Sequence, residues 1–282
     1  MITYNGIISK IIPAGVVRSL PDLHRTKRQN VLNWSKIFSG KEGLLFMTMI
    51  IVVWQAIAEL SSQQFRFLFP SLPVVATALW ISLPELLKGT YYSALILVPG
   101  YLAAVVAGVV MGILTATTGW LNRAFMPFAK AVAPVPPTIY IPYAIALVAT
   151  FRSASIVVVF IGAFWPVFLN TVAGAAAVPG RYRDDARILG LSRVEYLKKV
   201  VFPASLPQSF SGMAVGLALS FILLTVAELF GANAGLGRFV QYYADYADYP
   251  RMVAGIIYTG LITFLSMEVL ERIKRRVLFW VR

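Results

Sequence analysis

The chain has 282 residues, of which 59% are hydrophobic and only 13% charged, with 25 Lys and Arg against 12 Asp and Glu. A soluble domain is nearer a quarter charged, so the apolar excess points to several membrane spans. There is no cysteine and one histidine, His24, which excludes disulfides, thiol catalysis, iron–sulfur clusters and intramembrane zinc or Ser–His chemistry.

The first residues, "MITYNGIISKIIPAGVVRSL", lack the basic start of a signal peptide, and Lys10 and Pro13 interrupt their apolar run. Residues 1–42 therefore read as a cytoplasmic tail or a short interfacial helix. A span needs about 20 mostly apolar residues. Six stretches qualify: Gly43–Leu60, Tyr91–Thr118, a proline-rich Ala131–Thr150, Ser155–Val178, Leu206–Phe230 and Met252–Leu270. The expected fold over residues 43–282 is all-α, a polytopic membrane protein of about six transmembrane helices.

Charge counting orients these spans. With the N-terminus in the cytoplasm, the inner segments hold seven Lys or Arg in the tail, two in 119–130, six in 181–199 and five at the C-terminus. The outer segments hold five: Arg66, Lys88, Arg152, Arg238 and Arg251. Such a bias places both termini in the cytoplasm. It also accounts for the net charge of +13 without nucleic acid.

The prolines at 99, 127, 134, 136, 137, 142 and 166 remove backbone donors from apolar segments. Their freed carbonyls need partners from neighbouring helices or water, as expected of bent helices around a shared cavity. Gly108 and Gly112 carry the small-xxx-small spacing of close helix packing. Glu228 ends the fifth span, and it either faces protein or water or lies at the interface.

One polar island interrupts the apolar pattern, "RYRDDARILGLSRVEYLKKVVFPASLP", Arg181–Pro207. Asp184 and Asp185 suit the first turn of a helix. Gly190 fits a left-handed C-terminal cap, and Ser192 with Glu195 fits a capping box opening a second helix that Pro203 stops. Two short cytoplasmic helices with a tight turn result. Ala186, Ile188, Leu189 and Leu191 give them a partly apolar face suited to a partner's groove.

The island resembles the coupling motif of permease subunits of ABC importers, E-A-A-x3-G-x9-I-x-L-P. Here it is carried by Asp184, Asp185, Ala186, Gly190, Val200, Phe202 and Pro203, with Asp185 standing where the family puts Ala. "PVPPTIYIPYAIAL", "FWPVFLNTVAG" and "AELFGANAGLG" resemble segments of the nitrate, sulfonate and taurine branch, on Pro166, Asn170, Thr171, Gly174, Glu228, Gly231, Gly235 and Gly237 among others. The likeness runs over roughly residues 45–275.

The resemblance implies a non-enzymatic subunit of the bacterial cytoplasmic (inner) membrane. It implies two ATPase subunits, a second permease subunit in a homodimer, an extracytoplasmic solute-binding protein and surrounding lipid as partners. No G-x4-G-K-[ST] occurs, so no cofactor is expected on this chain, and ATP-Mg would sit on the ATPase. The expected ATPase contacts are Asp184, Asp185, Ala186, Arg187, Leu189, Gly190, Leu191 and Pro203. Candidates for the translocation pathway are Pro137, Tyr140, Tyr143, Trp165, Asn170, Thr171 and Glu228. No catalytic or metal site is expected. The slight basic excess of the outer loops favours a small anion such as nitrate, bicarbonate, taurine or an alkanesulfonate. A self-contained secondary transporter or channel is the alternative, although such carriers usually carry internal repeats. An intramembrane aspartyl enzyme is disfavoured because the aspartates lie outside the spans.

Overall fold

The computed structural model describes residues 41–60, 68–148 and 150–281. The expected N-terminal tail, with His24, and the outer-loop Arg66 lie outside the described residues. The described residues are mostly helical, with no strand among them. The chain divides into two units. One holds residues up to Phe69 together with Arg275–Arg282, and the other is Pro70–Lys274.

In the first unit, helix α1 is Lys41–Leu60, matching the first expected span. Trp54 and Phe69 meet there edge to face at 5.7 Å.

The second unit opens with α2, Leu72–Thr117. This 46-residue helix is roughly 70 Å long at 1.5 Å per residue, more than twice the hydrocarbon thickness. The expected second span, Tyr91–Thr118, is only its C-terminal part. Proline in the first turn starts the helix at Leu72. Pro84 and Pro99 then sit inside it without ending it. Pro99 cannot donate to the Leu95 carbonyl. Arg152 takes that carbonyl instead, with Nη2 3.4 Å away. Thr118 is extended, and α3 follows as Gly119–Val132.

The expected third span, Ala131–Thr150, is not one helix. Pro134, Pro136 and Pro137 withdraw three donors within four residues, so α3 ends at Val132. A 3₁₀ turn, Pro137–Tyr140, and a short α4, Ile141–Leu147, follow. Among the described residues, five helices are long and apolar enough to cross a bilayer, and Pro137–Leu147 is a shorter apolar helical segment.

Helix α5, Phe151–Ala176, is the centre of the unit. Thr150 caps it by accepting the Ser153 N–H at 3.2 Å. Half of its most apolar window is buried, against less in α2, because α2 and a later helix pack on either side of it. The seams are made of small residues. A Cβ at Gly100, Gly108 or Gly112 of α2 would lie within 2.9 Å of α5 atoms, so the two backbones are in direct contact. Ala104, fully buried, continues that row.

Helix α6 is Gly180–Ile188. Helix α7 runs continuously from Arg193 to Gly231, although its register changes once. Over Leu197–Val201 it widens into a π turn, and the Phe202 N–H bonds back to the Leu197 carbonyl. The expectation that Pro203 stops the second polar helix is therefore overturned. A proline inside a regular helix costs about 3 kcal/mol, through a lost bond and a ring clash with the carbonyl four residues back. The wide turn comes immediately before Pro203, and the helix carries on through it as the fifth expected span. The seam of α7 with α5 is as tight as that with α2. A Cβ on Gly212 would meet the Pro166 carbonyl at 2.5 Å, and one on Gly216 the Ala163 carbonyl at 3.1 Å.

Helix α8, Leu236–Asp245, was not anticipated from the sequence. It turns Leu236 and Phe239 onto Leu86 of α2 and Tyr258 of the last long helix. Tyr243 on α8 donates to Glu85 at 2.9 Å. Burial, and then the hydrogen bond and charge of Glu85, push its hydroxyl's pKa up. Helix α9, Tyr249–Val277, overruns the sixth expected span at both ends. Asp248 Oδ1 accepts the Arg251 N–H at 3.2 Å and starts it. A 3₁₀ turn, Phe279–Val281, closes the described chain.

Candidate functional site

The polar island folds into a hairpin of helices, α6 and the first turn of α7. Its turn is a complete Schellman cap. Gly190 sits at φ +66, its N–H bonds to the Arg187 carbonyl at 3.0 Å, and the Leu191 N–H bonds to the Ala186 carbonyl at 2.9 Å. A Cβ at Gly190 would meet nothing within 4 Å, so glycine is needed there for its backbone conformation alone.

The capping box is also complete. Ser192 Oγ accepts the Glu195 N–H at 3.3 Å, and the Ser192 N–H reaches Glu195 Oε2 at 3.1 Å. Arg193 Nη2 donates to Thr118 Oγ1 at 2.8 Å, which fastens the hairpin to the junction of α2 and α3.

Two local expectations change. Helix α6 begins at Gly180 behind Pro179, so its first turn holds no acidic residue. Asp184 and Asp185 are mid-helix, because Pro179 starts the helix earlier than the acidic pair suggested. Asp184 lies 3.8 Å from Arg187, both well exposed, a pair worth little. Ala186 is buried, whereas Ile188 is 84% exposed and Leu189 50%. The outward apolar residues of the hairpin are therefore Ile188 and Leu189 on the first helix and Val194, 57% exposed, on the second. Asp185 and Arg187 are exposed, Leu191 is half-buried, and Pro203 lies in α7 beyond the hairpin.

The pathway candidates do not form one cluster. Pro137 and Tyr140 are half-buried in the 3₁₀ turn, and Tyr143 on α4 is 67% exposed. Trp165 belongs to an aromatic group with Phe125 and Phe128 of α3 and Phe164 and Phe168 of α5, with ring centres 5.0–6.5 Å from it. Thr171 is fully buried in the seam and donates to Ser209 Oγ at 3.0 Å. Asn170 donates to the Pro166 carbonyl at 2.9 Å and accepts from Gln208 Nε2 at 3.1 Å.

Glu228 is wholly buried. Its Oε1 accepts from Ser93 Oγ of α2 at 2.5 Å, and its Oε2 from the Gly237 N–H at 2.6 Å. Ser93 Oγ in turn accepts the Leu236 N–H at 2.9 Å. One carboxylate thus joins α2, the end of α7 and the start of α8. The glycines of "AELFGANAGLG" make room for it. Gly235 takes φ +151, and a Cβ there would lie 2.4 Å from the carboxylate. Ser93 and Leu236 were missed from sequence, and Gly237 was noted only as part of the segment that resembles the family. Ser93 is 135 residues away in the chain, and the signal that could have found them was the glycine-rich end of the glutamate's own segment.

Residues 104–279 match the family described as "Binding-protein-dependent transport system inner membrane component". The chain belongs to this family. Such proteins are transport permease subunits and not enzymes. A nitrate import permease protein of Leptolyngbya laminosa is 33% identical over 63% of this chain and 64% of its own length. A taurine transport system permease protein of Escherichia coli is 28% identical over 83% of this chain and 87% of its own. A putative aliphatic sulfonates transport permease protein of Bacillus subtilis is 27% identical over 87% and 89%. The permease is therefore similar to members of the nitrate, sulfonate and taurine branch of ABC importer permeases. It spans less than two thirds of the nitrate permeases it matches. Among solved structures, an inward-facing form of the MetNI methionine ABC transporter has the same fold, with a TM-score of 0.59 at 21% identity over 70% of this chain and 97% of the other.

Proposed function

We propose that this permease is the membrane-spanning subunit of an ATP-driven importer, and that the hairpin around Gly190 is the contact through which a separate ATPase drives it. The observation that carries this reading is the hairpin itself. It is capped at both helix ends, and it projects Ile188, Leu189 and Val194 outward from a polar segment joined without a break to a span. A bare loop would need none of this capping. Asp184, Asp185, Arg187 and Leu191 frame that face and would meet the groove's rim, while Ala186 and Pro203 support it from behind. ATP-Mg would be bound by the ATPase.

Both termini lie in the cytoplasm on this reading, which needs an even number of crossings. Residues 133–150 then supply the sixth crossing as a broken element. Extended and 3₁₀ backbone rise about 2–3.3 Å per residue, so this short segment can cross about 30 Å. Irregular backbone at that depth must be buried in protein or line a cavity. Ile141 and Ala144 are buried against Ala154, Val158, Leu223 and Ala227 of α5 and α7. Pro137, Tyr140, Tyr143 and the Asn170–Gln208 pair would then border the path, with Trp165 and Thr171 behind it. Glu228 would pin the frame. A second permease subunit completes the pathway, and an extracytoplasmic binding protein delivers the solute.

The solute is a small oxyanion of the class that the relatives' names give, nitrate, bicarbonate, taurine or an alkanesulfonate. Uptake of each labelled anion into cells with and without the chain tests this. One of the four should lose its ATP-dependent uptake in the deletion strain. Uptake that survives ATP depletion and needs this chain alone would point to a self-contained carrier.

A further inference from the structure

The hairpin is not hung from its span by a loose loop. Helix α7 is continuous, and the only irregularity between hairpin and span among the described residues of that helix is the π turn at Leu197–Val201. That turn holds one residue more than an α-helical turn. Pro203 follows it at once. In a regular helix Pro203 would strike the Lys199 carbonyl; Pro84, Pro99, Pro127, Pro166 and Pro207 sit inside α-helices, whereas Pro203 directly follows the one π turn among the described residues.

Both sides of the turn are held in place. Before it, the Ser192–Glu195 box and the Arg193–Thr118 bond fix the first turn of α7, to which Lys199 of the π turn pairs through Glu195 at 2.9 Å. After it, Val201, Ser205 and Ser209 are buried, and Gly174 of α5 lies against the Ser205 backbone. The residue count of the π turn therefore sets the rotational phase between hairpin and span. One residue more or less in a helix turns everything beyond it by about 100°.

We propose that Pro203 is a positioning residue. By forcing the wide turn it sets the direction in which Ile188, Leu189 and the Gly190 turn face the ATPase. This rests on the proposed function and adds that the direction of the hairpin, and not only its fold, decides coupling.

The test uses the whole complex in proteoliposomes with three variants: Pro203→Ala, deletion of Lys198, and both together. Lys198 is exposed. Pro203→Ala alone lets the turn regularise and rotates the hairpin. The deletion alone forces the proline into a regular helix. Each should lower ATP-driven uptake about tenfold or more, while the double variant, a regular helix with the parent's phase, should recover most of it. Parent-level uptake by Pro203→Ala overturns the proposal. So does a double variant no better than the deletion alone.

A second measurement is independent of transport. The chain has no cysteine, so spin labels placed through Trp120→Cys and Ile188→Cys, in labelled chain diluted with an excess of unlabelled chain, report the distance within one chain. Pro203→Ala should shift that distance and the double variant restore it, and an unchanged distance in Pro203→Ala overturns the proposal even if a variant complex fails to assemble. Absence of ATP-driven uptake by the parent complex would instead sink the proposed function, leaving the distance measurement to decide the role of Pro203.

Discussion

Single residues carry three different kinds of constraint in this permease. Glu228 is a buried acceptor for Ser93 and for the Gly237 backbone. Glu228→Leu removes the acceptor and strands those donors, at about 1–3 kcal/mol each. The variant should be less stable by about 2–5 kcal/mol, read as a lower thermal midpoint in detergent. An unchanged midpoint would mean that the junction of α2, α7 and α8 is held by other contacts. Ala247 is a backbone constraint. It ends α8 at φ +55, and the Asp248 N–H bonds to the Tyr243 carbonyl there at 2.9 Å. A left-handed residue with a Cβ costs about 1–2 kcal/mol, and glycine avoids it. Ala247→Gly should therefore raise the midpoint slightly, whereas most substitutions in this unit lower it. Gly190 is the converse case, a glycine already in place with open space around it.

At the scale of elements, the helix seams decide which glycines matter. Gly212 faces the Pro166 carbonyl and Asn170 Cβ of α5, whereas Gly260 of α9 has nothing within 4 Å of an added Cβ. Gly212→Val should abolish folded yield, since backbone on the far side cannot move aside. Gly260→Ala should leave yield unchanged or raise it, through a helix-propensity gain of about 1 kcal/mol. Comparing monodisperse yield by size-exclusion chromatography checks both. The same contrast separates what the sequence could reveal from what it could not. The Schellman turn at Gly190 and the box at Ser192–Glu195 were legible because their partners lie within five residues of one another. The small-xxx-small row of α2 was legible as a pattern, but its partner α5 was not. The length of α2 escaped because Glu85 and Lys88 break the apolar window, although a helix this long tolerates both on an exposed face. The broken segment at 137–147 escaped because hydropathy ignores how several prolines in a row divide a helix. The wide turn before Pro203 escaped because it depends on which of two registers relieves a clash, and composition does not encode that choice.

At the scale of the whole molecule, the Pro70–Lys274 unit is a central helix clamped between two others, with a polar hairpin at one end of α7 and the Glu228 junction at the other. Helix α7 connects the two directly over roughly 58 Å, so movement imposed on the hairpin is delivered along one element. The central claim is that this hairpin is the drive point. It is tested most directly by ATP-driven uptake and ATP hydrolysis in the reconstituted complex carrying Gly190→Val or Gly190→Asn. A β-branched residue resists the left-handed cap, while asparagine adopts it several times more readily than other side chains. The account predicts that Gly190→Val loses uptake while the ATPase stays active on its own, and that Gly190→Asn keeps most of it. Parent-level ATP-driven uptake by Gly190→Val would contradict the account.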